Sequence, residues 1–230
     1  YDLTTDRDQV MNLVSSGESA HKDALARLRA ALREHHLETR DVGFLPEDEM
    51  HRRSEGSTPY EMARDDKRYP IERVLAAAEL ASSDDRSTEA IERLRELLRD
   101  GDSAVRYWAA SGMLARGGSA VESSRAELRR VLTTDPSPSV RVAAAEALAQ
   151  HGSESDIERA VETLIELSSL ERSSLYTAVL ALNALDLLDD KAKPWKEKIA
   201  SLPTRKDGIP NRLAEYVPRL LEKTLADFGS

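Results

Sequence analysis

Apolar residues recur along most of this chain at helical spacing, and the pattern itself repeats. Residues 73–81 (Arg-Val-Leu-Ala-Ala-Ala-Glu-Leu-Ala), 106–114 (Arg-Tyr-Trp-Ala-Ala-Ser-Gly-Met-Leu) and 141–149 (Arg-Val-Ala-Ala-Ala-Glu-Ala-Leu-Ala) read nearly alike. Their arginines, Arg73, Arg106 and Arg141, stand 33 and then 35 residues apart. An internal period in that range predicts a stack of small supersecondary units, each borrowing its core from its neighbours. A second helix precedes two of these, with Ile91, Leu94, Leu97 and Leu98 in one and Leu128, Val131 and Leu132 in the other. The unit is therefore helix, turn, helix.

A looser third pair follows, with Ile157, Val161, Leu164, Ile165 and Leu167, then Leu175, Val179, Leu182 and Leu185. Beyond Pro194, Pro203 and Pro210 the period breaks. Leu213, Val217, Leu220, Leu221 and Leu225 suggest a last capping helix, and Pro218 argues against an unbroken interior. The turns carry their own signals. Residues 100–106 (Asp-Gly-Asp-Ser-Ala-Val-Arg) align without a gap on residues 135–141 (Asp-Pro-Ser-Pro-Ser-Val-Arg). Asp102 and Ser137 fit N-caps, and Pro138 suits the first helical position. Gly117 and Gly152 are expected as left-handed C-caps. The alanine pairs Ala109–Ala110 and Ala144–Ala145 permit close helix approach.

The first third is different. Tyr1 to Leu3 reads as the end of a strand, and Thr4 to Asp8 as a polar turn. An amphipathic helix starts at Ser19, carries Leu25, Leu28 and Leu32, and fades after Leu37. Residues 39–68, with Gly43, Pro46, Gly56 and Pro59, hold no sustained period and read as an irregular arm, functional or packed on something. The expected divisions are 1–38, 39–68 and 69–230. The opening on Tyr1, without an initiator Met, is expected of a segment of a longer protein. The closing Gly229-Ser230 is either native or an expression scar.

Composition narrows the function. Charged residues make up 33% and aromatics 4%, which suits helices packed through Ala and Leu. A formal net charge of −9 gives no overall footprint for nucleic acid. With no cysteine, disulfides, zinc thiolates and thiol nucleophiles are excluded. No apolar stretch approaches a membrane span.

The Asp-x-x-x-x-Val-Arg-x-x-Ala-Ala pattern at residues 100–110 and 135–145 resembles the HEAT family in its short bacterial form. The period also matches tetratricopeptide and ankyrin lengths, but neither signature is present. The resemblance implies an all-α fold, a short right-handed α-α superhelix, in which Asp100, Arg106, Asp135 and Arg141 are structural repeat positions. Residues 1–13 (Tyr-Asp-Leu-Thr-Thr-Asp-Arg-Asp-Gln-Val-Met-Asn-Leu) resemble the C-terminal end of type I sulfatases. Residues 38–47 (Glu-Thr-Arg-Asp-Val-Gly-Phe-Leu-Pro-Glu), 57–61 (Ser-Thr-Pro-Tyr-Glu) and 68–71 (Arg-Tyr-Pro-Ile) are similar to sulfatases that carry a HEAT-like extension.

That second resemblance implies an upstream catalytic domain with formylglycine and calcium, hydrolysis of sulfate esters or sulfamates of sulfated sugars, and a periplasmic or secreted location. No catalytic, cofactor or metal residue is assigned in this segment. Its one formal match to the Cys/Ser-x-Pro-x-Arg motif is Ser201-Leu-Pro-Thr-Arg205, followed by Lys206-Asp207-Gly208 rather than a hydrophobic helix start. It reads as a loop between helices. Expected partners are the upstream domain and a protein; nucleic acid and membrane are not expected. The alternative is a free-standing HEAT-like interaction module.

Remaining constellations have competing readings. His35 and His36 point about 100° apart on a helix and cannot close on one metal ion. Arg52, Arg53, Arg64 and Arg68 form a basic cluster with His51 and Lys67. It either contacts an anionic sugar or acidic surface, or pairs internally with Glu47, Asp48, Glu49, Asp65 and Asp66. Tyr107 and Trp108 replace small residues of the sister repeat, so they pack in the core, on the arm or on a partner. Asp186, Asp189 and Asp190 lack a Gly-centred calcium loop and read as a helix C-terminal turn.

Overall fold

The structure, a computed structural model, describes residues 1–228; the closing Gly229-Ser230 pair lies outside the described residues. Every regular element among them is helical. The chain divides into two compact units, residues 1–41 and residue 42 onward.

In the first unit, residues 1–18 form turns. Asp6 accepts the Val10 and Met11 amides at 3.1 and 2.8 Å. Tyr1 to Leu3, expected as a strand end, is irregular: the described residues offer no strand for it to pair with, and an unpaired strand leaves its backbone groups unsatisfied. Helix α1 (Ser19–Thr39) ends at Arg40, whose left-handed backbone (φ 53°, ψ 53°) lets its N–H reach the carbonyls of His36 and Leu37. None of the residues of α1 is buried.

The second unit begins with the arm. Expected to be irregular, it contains a 3₁₀ turn at Val42–Phe44 and two short helices, α2 (Glu47–Arg53) and α3 (Pro59–Met62). Helices of seven and four residues are too short for an apolar period to reveal. Local capping makes α3, where the Thr58 and Glu61 side chains form a capping box with Pro59 at the first helical position. Helix α2 has no side-chain cap and opens on three acidic residues, Glu47, Asp48 and Glu49. Leu45, Met62 and Tyr69 are buried and anchor the arm, each worth about 1.5–3 kcal/mol by removal from water.

The stack follows. Helices α4 (Ile71–Ala81), α6 (Ser103–Arg116), α9 (Pro138–His151) and α11 (Leu175–Asp186) form one layer, each packed on the next. Helices α5 (Thr88–Leu97), α8 (Arg125–Thr134) and α10 (Glu154–Ser168) form a second layer against it. Short α7 (Gly118–Ser123) packs on α6 and α9. Helices α12 (Lys196–Ala200) and α13 (Tyr216–Asp227) close the described stack, α13 lying on α11. The expected all-α superhelix of HEAT-like repeats is the observed architecture. Pro218 sits in the first turn of α13, where its missing N–H has no intrahelical acceptor to lose, so the helix continues past it.

Alanine makes the central packing possible. Ala143, Ala144, Ala145, Ala147 and Ala149 keep α9 buried on nearly every side. Gly112 does the same on α6, where a Cβ would fall 2.9 Å from Leu94 Cδ2 and 3.0 Å from Ala81 Cα. Neither expected glycine cap is left-handed helical. Gly117 has φ 85° and ψ −164° because α7 starts at the next residue. Gly152 is extended (φ −81°, ψ −176°), and its Cβ would lie 2.4 Å from the Leu148 carbonyl oxygen and 2.6 Å from Asp156 Cβ. Close approach, not backbone sign, demands glycine there.

Candidate functional site

The arm and the helix layer meet along the N-terminal ends of α6, α9 and α11, where chain geometry collects unpaired backbone N–H groups. Each end is capped locally: Asp102 accepts the Ala104 amide at 2.8 Å, Ser137 the Val140 amide at 3.4 Å, and Ser174 the Thr177 amide at 3.0 Å. Helix α2 brings two more carboxylates to these ends. Ser174 Oγ donates to Asp48 Oδ1 at 2.5 Å. Glu49, fully buried, accepts from Ser137 Oγ at 2.6 Å and from Ser103 Oγ at 2.7 Å. Negative charge is thus placed where the helix dipoles are positive.

Two cations complete this knot. Arg53 donates from Nε to Glu49 Oε2 at 2.9 Å, and from its two terminal nitrogens to Asp102 at 2.9 and 2.8 Å. Arg52 Nη2 donates to Glu49 Oε1 at 2.5 Å. Burial pushes the Glu49 carboxyl up, but the hydrogen bonds from Ser137, Ser103 and Arg53 outweigh it and hold the group at about 2. A charge this deep is tolerated because its lone pairs are satisfied.

The other basic residues of the arm sit differently. Arg64 lies over the Tyr60 ring, 3.5 Å from its centroid, and donates to the Tyr60 carbonyl at 3.1 Å. Arg68 donates to Ser57 Oγ at 2.8 Å and to the Glu55 carbonyl at 3.1 Å. Arg52, Arg53, Lys67 and Arg68 line one cavity with the start of α6, and Arg64 stands apart from it.

The repeat positions form a ladder. Arg106 grips Asp135 with two bonds, Nε to Oδ2 at 2.7 Å and Nη2 to Oδ1 at 2.8 Å, and also donates to the Asp100 carbonyl at 2.8 Å. Arg73 pairs with Asp100 in the same sense one unit earlier. The ladder ends at Arg141: buried Leu170 stands where the next Asp would be, so Arg141 donates to the Leu132 carbonyl at 3.0 Å and lies 3.7 Å from Glu166. Asp135 Oδ1 also accepts the Ser137 amide at 2.9 Å, joining ladder to knot.

Several expectations resolve on geometry. Trp108 packs against the stack core and donates from Nε1 to the Phe44 carbonyl of the arm at 2.8 Å. Asp186 ends α11 and accepts from Lys223 at 2.7 Å and Thr224 at 3.1 Å. Ser201 follows α12 and donates to the Lys198 carbonyl at 2.7 Å, in an irregular stretch before α13. His36 meets Asp41 at 3.0 Å, and its ring centroid is 6.3 Å from that of His35. Among the described residues, no group of three or more His, Asp or Glu is placed to hold a metal ion, and no helix is long and apolar enough to cross a membrane.

Two buried charges went unnoticed in the sequence. Arg116 donates to the Leu80, Ala81, Asp85 and Gly112 carbonyls at 2.8–3.1 Å and to Ser83 Oγ at 3.0 Å, closing the C-terminus of α4. Its signal is positional: it lies three and seven residues after buried Met113 and Ala109, on the inward stripe. Asp156 begins α10, accepts the Ser153 amide at 2.9 Å and pairs with Arg129 of α8. Burial opposes its ionisation, but the Arg129 and Ser153 hydrogen bonds prevail and its pKa lies below the usual carboxylate range.

The repeat also has a counterpart outside this chain. Residues 140–169 match the family model described as PBS lyase HEAT-like repeat. That span takes α9 and then α10, half a unit out of phase with the pairing read from the sequence. No curated protein matches the chain.

Proposed function

We propose that this chain is the non-catalytic, C-terminal scaffold of a larger enzyme, docked on its catalytic domain through residues 1–41. The stack itself is a repeat scaffold, an architecture whose extended faces serve protein interactions. The observation that carries the docking is the uncovered apolar stripe of α1. Leu28 is 63% and Leu32 55% exposed within a helix that buries nothing, and Val10, Met11 and Val14 are exposed beside it in sequence. Grouped exposed apolar side chains mark interaction surfaces.

The resemblance of residues 1–71 to sulfatase tails supports reading that enzyme as a hydrolase of sulfate esters or sulfamates. In this reading the nucleophile and metal ligands lie upstream, and the stack forms a lateral wall or partner surface. Ser201, bonded to a carbonyl in a loop, has no part in the chemistry.

The test is the coding sequence upstream of Tyr1. A Cys/Ser-x-Pro-x-Arg motif with paired Asp residues supports the sulfatase reading, and Leu28→Ser with Leu32→Ser then loosens the tail from the enzyme in limited proteolysis. A start codon or an unrelated domain there overturns it in favour of the free-standing interaction module. The isolated chain is expected to release no sulfate from any ester; turnover abolished by Ser201→Ala contradicts the assignment.

A further inference from the structure

We propose that the cavity between the arm and the start of α6 binds a tetrahedral oxyanion, a sulfate or phosphate group. The cavity offers about 240 Å³ open to solvent and is lined by Arg52, Arg53, Lys67, Arg68, Gly101, Asp102 and Ser103. This goes beyond the scaffold reading and does not depend on what lies upstream.

Charge accounting carries the argument. Glu49 and Asp102 offset two of the four cations: Arg53 bonds both carboxylates, and Arg52 shares Glu49. Lys67 and Arg68 are not offset. Among the described residues the Lys67 ammonium has no ion pair or hydrogen bond; Asp65 accepts only its backbone amide, at 2.9 Å. Arg68 is held by two neutral acceptors, Ser57 Oγ and the Glu55 carbonyl. Its orientation is therefore fixed while its charge stays unanswered. Two net positive charges face one cavity, in a chain whose formal net charge is −9. The attraction is local, not a property of the whole molecular field.

The shapes suit the ligand. A guanidinium fork matches two oxygens of a tetrahedral anion, and a nearby ammonium supplies a point charge to a third. The positive end of α6 is already answered by its Asp102 cap, so the attraction comes from the side-chain cations alone. The volume equals roughly eight waters at about 30 Å³ each, which leaves room beside the anion for the first atoms of an esterified group.

Calorimetric titration of the 230-residue chain tests this, using sodium sulfate, sodium phosphate, a hexose 6-sulfate and a hexose 6-phosphate, each against chloride of matched ionic strength. Saturable one-to-one binding is expected, weakened roughly tenfold or more in the Lys67→Gln, Arg68→Gln double variant. Lys198→Gln, remote from the cavity, should leave it unchanged. Tighter binding of the hexose esters identifies an ester ligand, and equal affinity identifies the free anion. If the double variant loses its circular dichroism spectrum, Lys67→Glu serves alone, because that side chain supports no contact. Absence of saturable binding for all four probes, or equal affinity in wild type and variant, overturns the proposal.

Discussion

Ser137 Oγ donates to Glu49 Oε1 at 2.6 Å, joining residues 88 apart in sequence. This bond fixes the arm to the cap of the central repeat helix, and through Asp135 it continues into the Arg106 ladder. A break here should be felt in both the arm and the stack.

Glu49→Ala leaves Arg52 and Arg53 facing one another without their shared carboxylate. A loss of about 3–5 kcal/mol in urea unfolding is expected, as for one partner of a buried pair. Protease cutting within residues 42–70 should appear before the stack unfolds. Full stability with an uncut arm rules out Glu49 as the tie.

The pH dependence follows from the same group. Its pKa in the folded protein, about 2, lies below its ordinary value of 4.5. The stabilisation is thus fully present above pH 4.5 and drains away as pH falls toward 2. Its size is roughly 3 kcal/mol. Unfolding free energies measured between pH 7 and pH 3 should fall more steeply in the wild type than in Glu49→Gln; parallel curves would place the acid sensitivity elsewhere.

Arg106 and Asp135 have side chains 11% and 2% exposed, whereas those of Arg73 and Asp100 are 56% and 19% exposed. A double-mutant cycle with Arg106→Gln and Asp135→Asn should give a coupling of about 2 kcal/mol. The same cycle at Arg73 and Asp100 should give less than about 1 kcal/mol, because water screens that rung. Equal couplings would mean that burial does not govern the ladder.

Glycine substitutions separate two mechanisms. Gly152→Ala drives a Cβ into the Leu148 carbonyl and Asp156, and should cost about 1–3 kcal/mol. Gly117→Ala meets open space but keeps a positive φ, so its expected cost of about 1–2 kcal/mol is backbone strain alone. Calorimetric melting of both variants checks the two costs, and asparagine at 117 should recover none of the loss, because it tolerates left-handed helical backbone and not φ 85° with ψ −164°.

Arg116→Met removes the donors to four carbonyls and one hydroxyl, with about 3 kcal/mol of stability. Arg116→Lys should not restore it, since one ammonium cannot span that fan of acceptors. Rescue by lysine in thermal melts would reduce the residue to its charge.

The stack was legible in the sequence because its cause is local and periodic. Arg73, Arg106 and Arg141 mark equal positions, and the alanine pairs beside them announce close-packed helices. The cap residues Asp102, Ser137 and Ser174 act within four residues of their own position, and the first two were readable for that reason. The arm was not legible. Its seven-residue helix α2 has no apolar period, and its Glu49 looked like one acid among several on a solvated surface.

The sequence by itself determined the helical unit, its repeat length and the turn chemistry, since these depend on spacing over a few residues. Only the tertiary structure decided which carboxylate would be buried, where Arg116 finds its acceptors, and that Lys67 and Arg68 line one cavity with no ion-pair partner among the described residues. Those outcomes depend on helices folded from distant segments bringing their ends together. Charge and hydrogen-bond satisfaction in such places is a property of the assembled ends, and no window along the chain contains it.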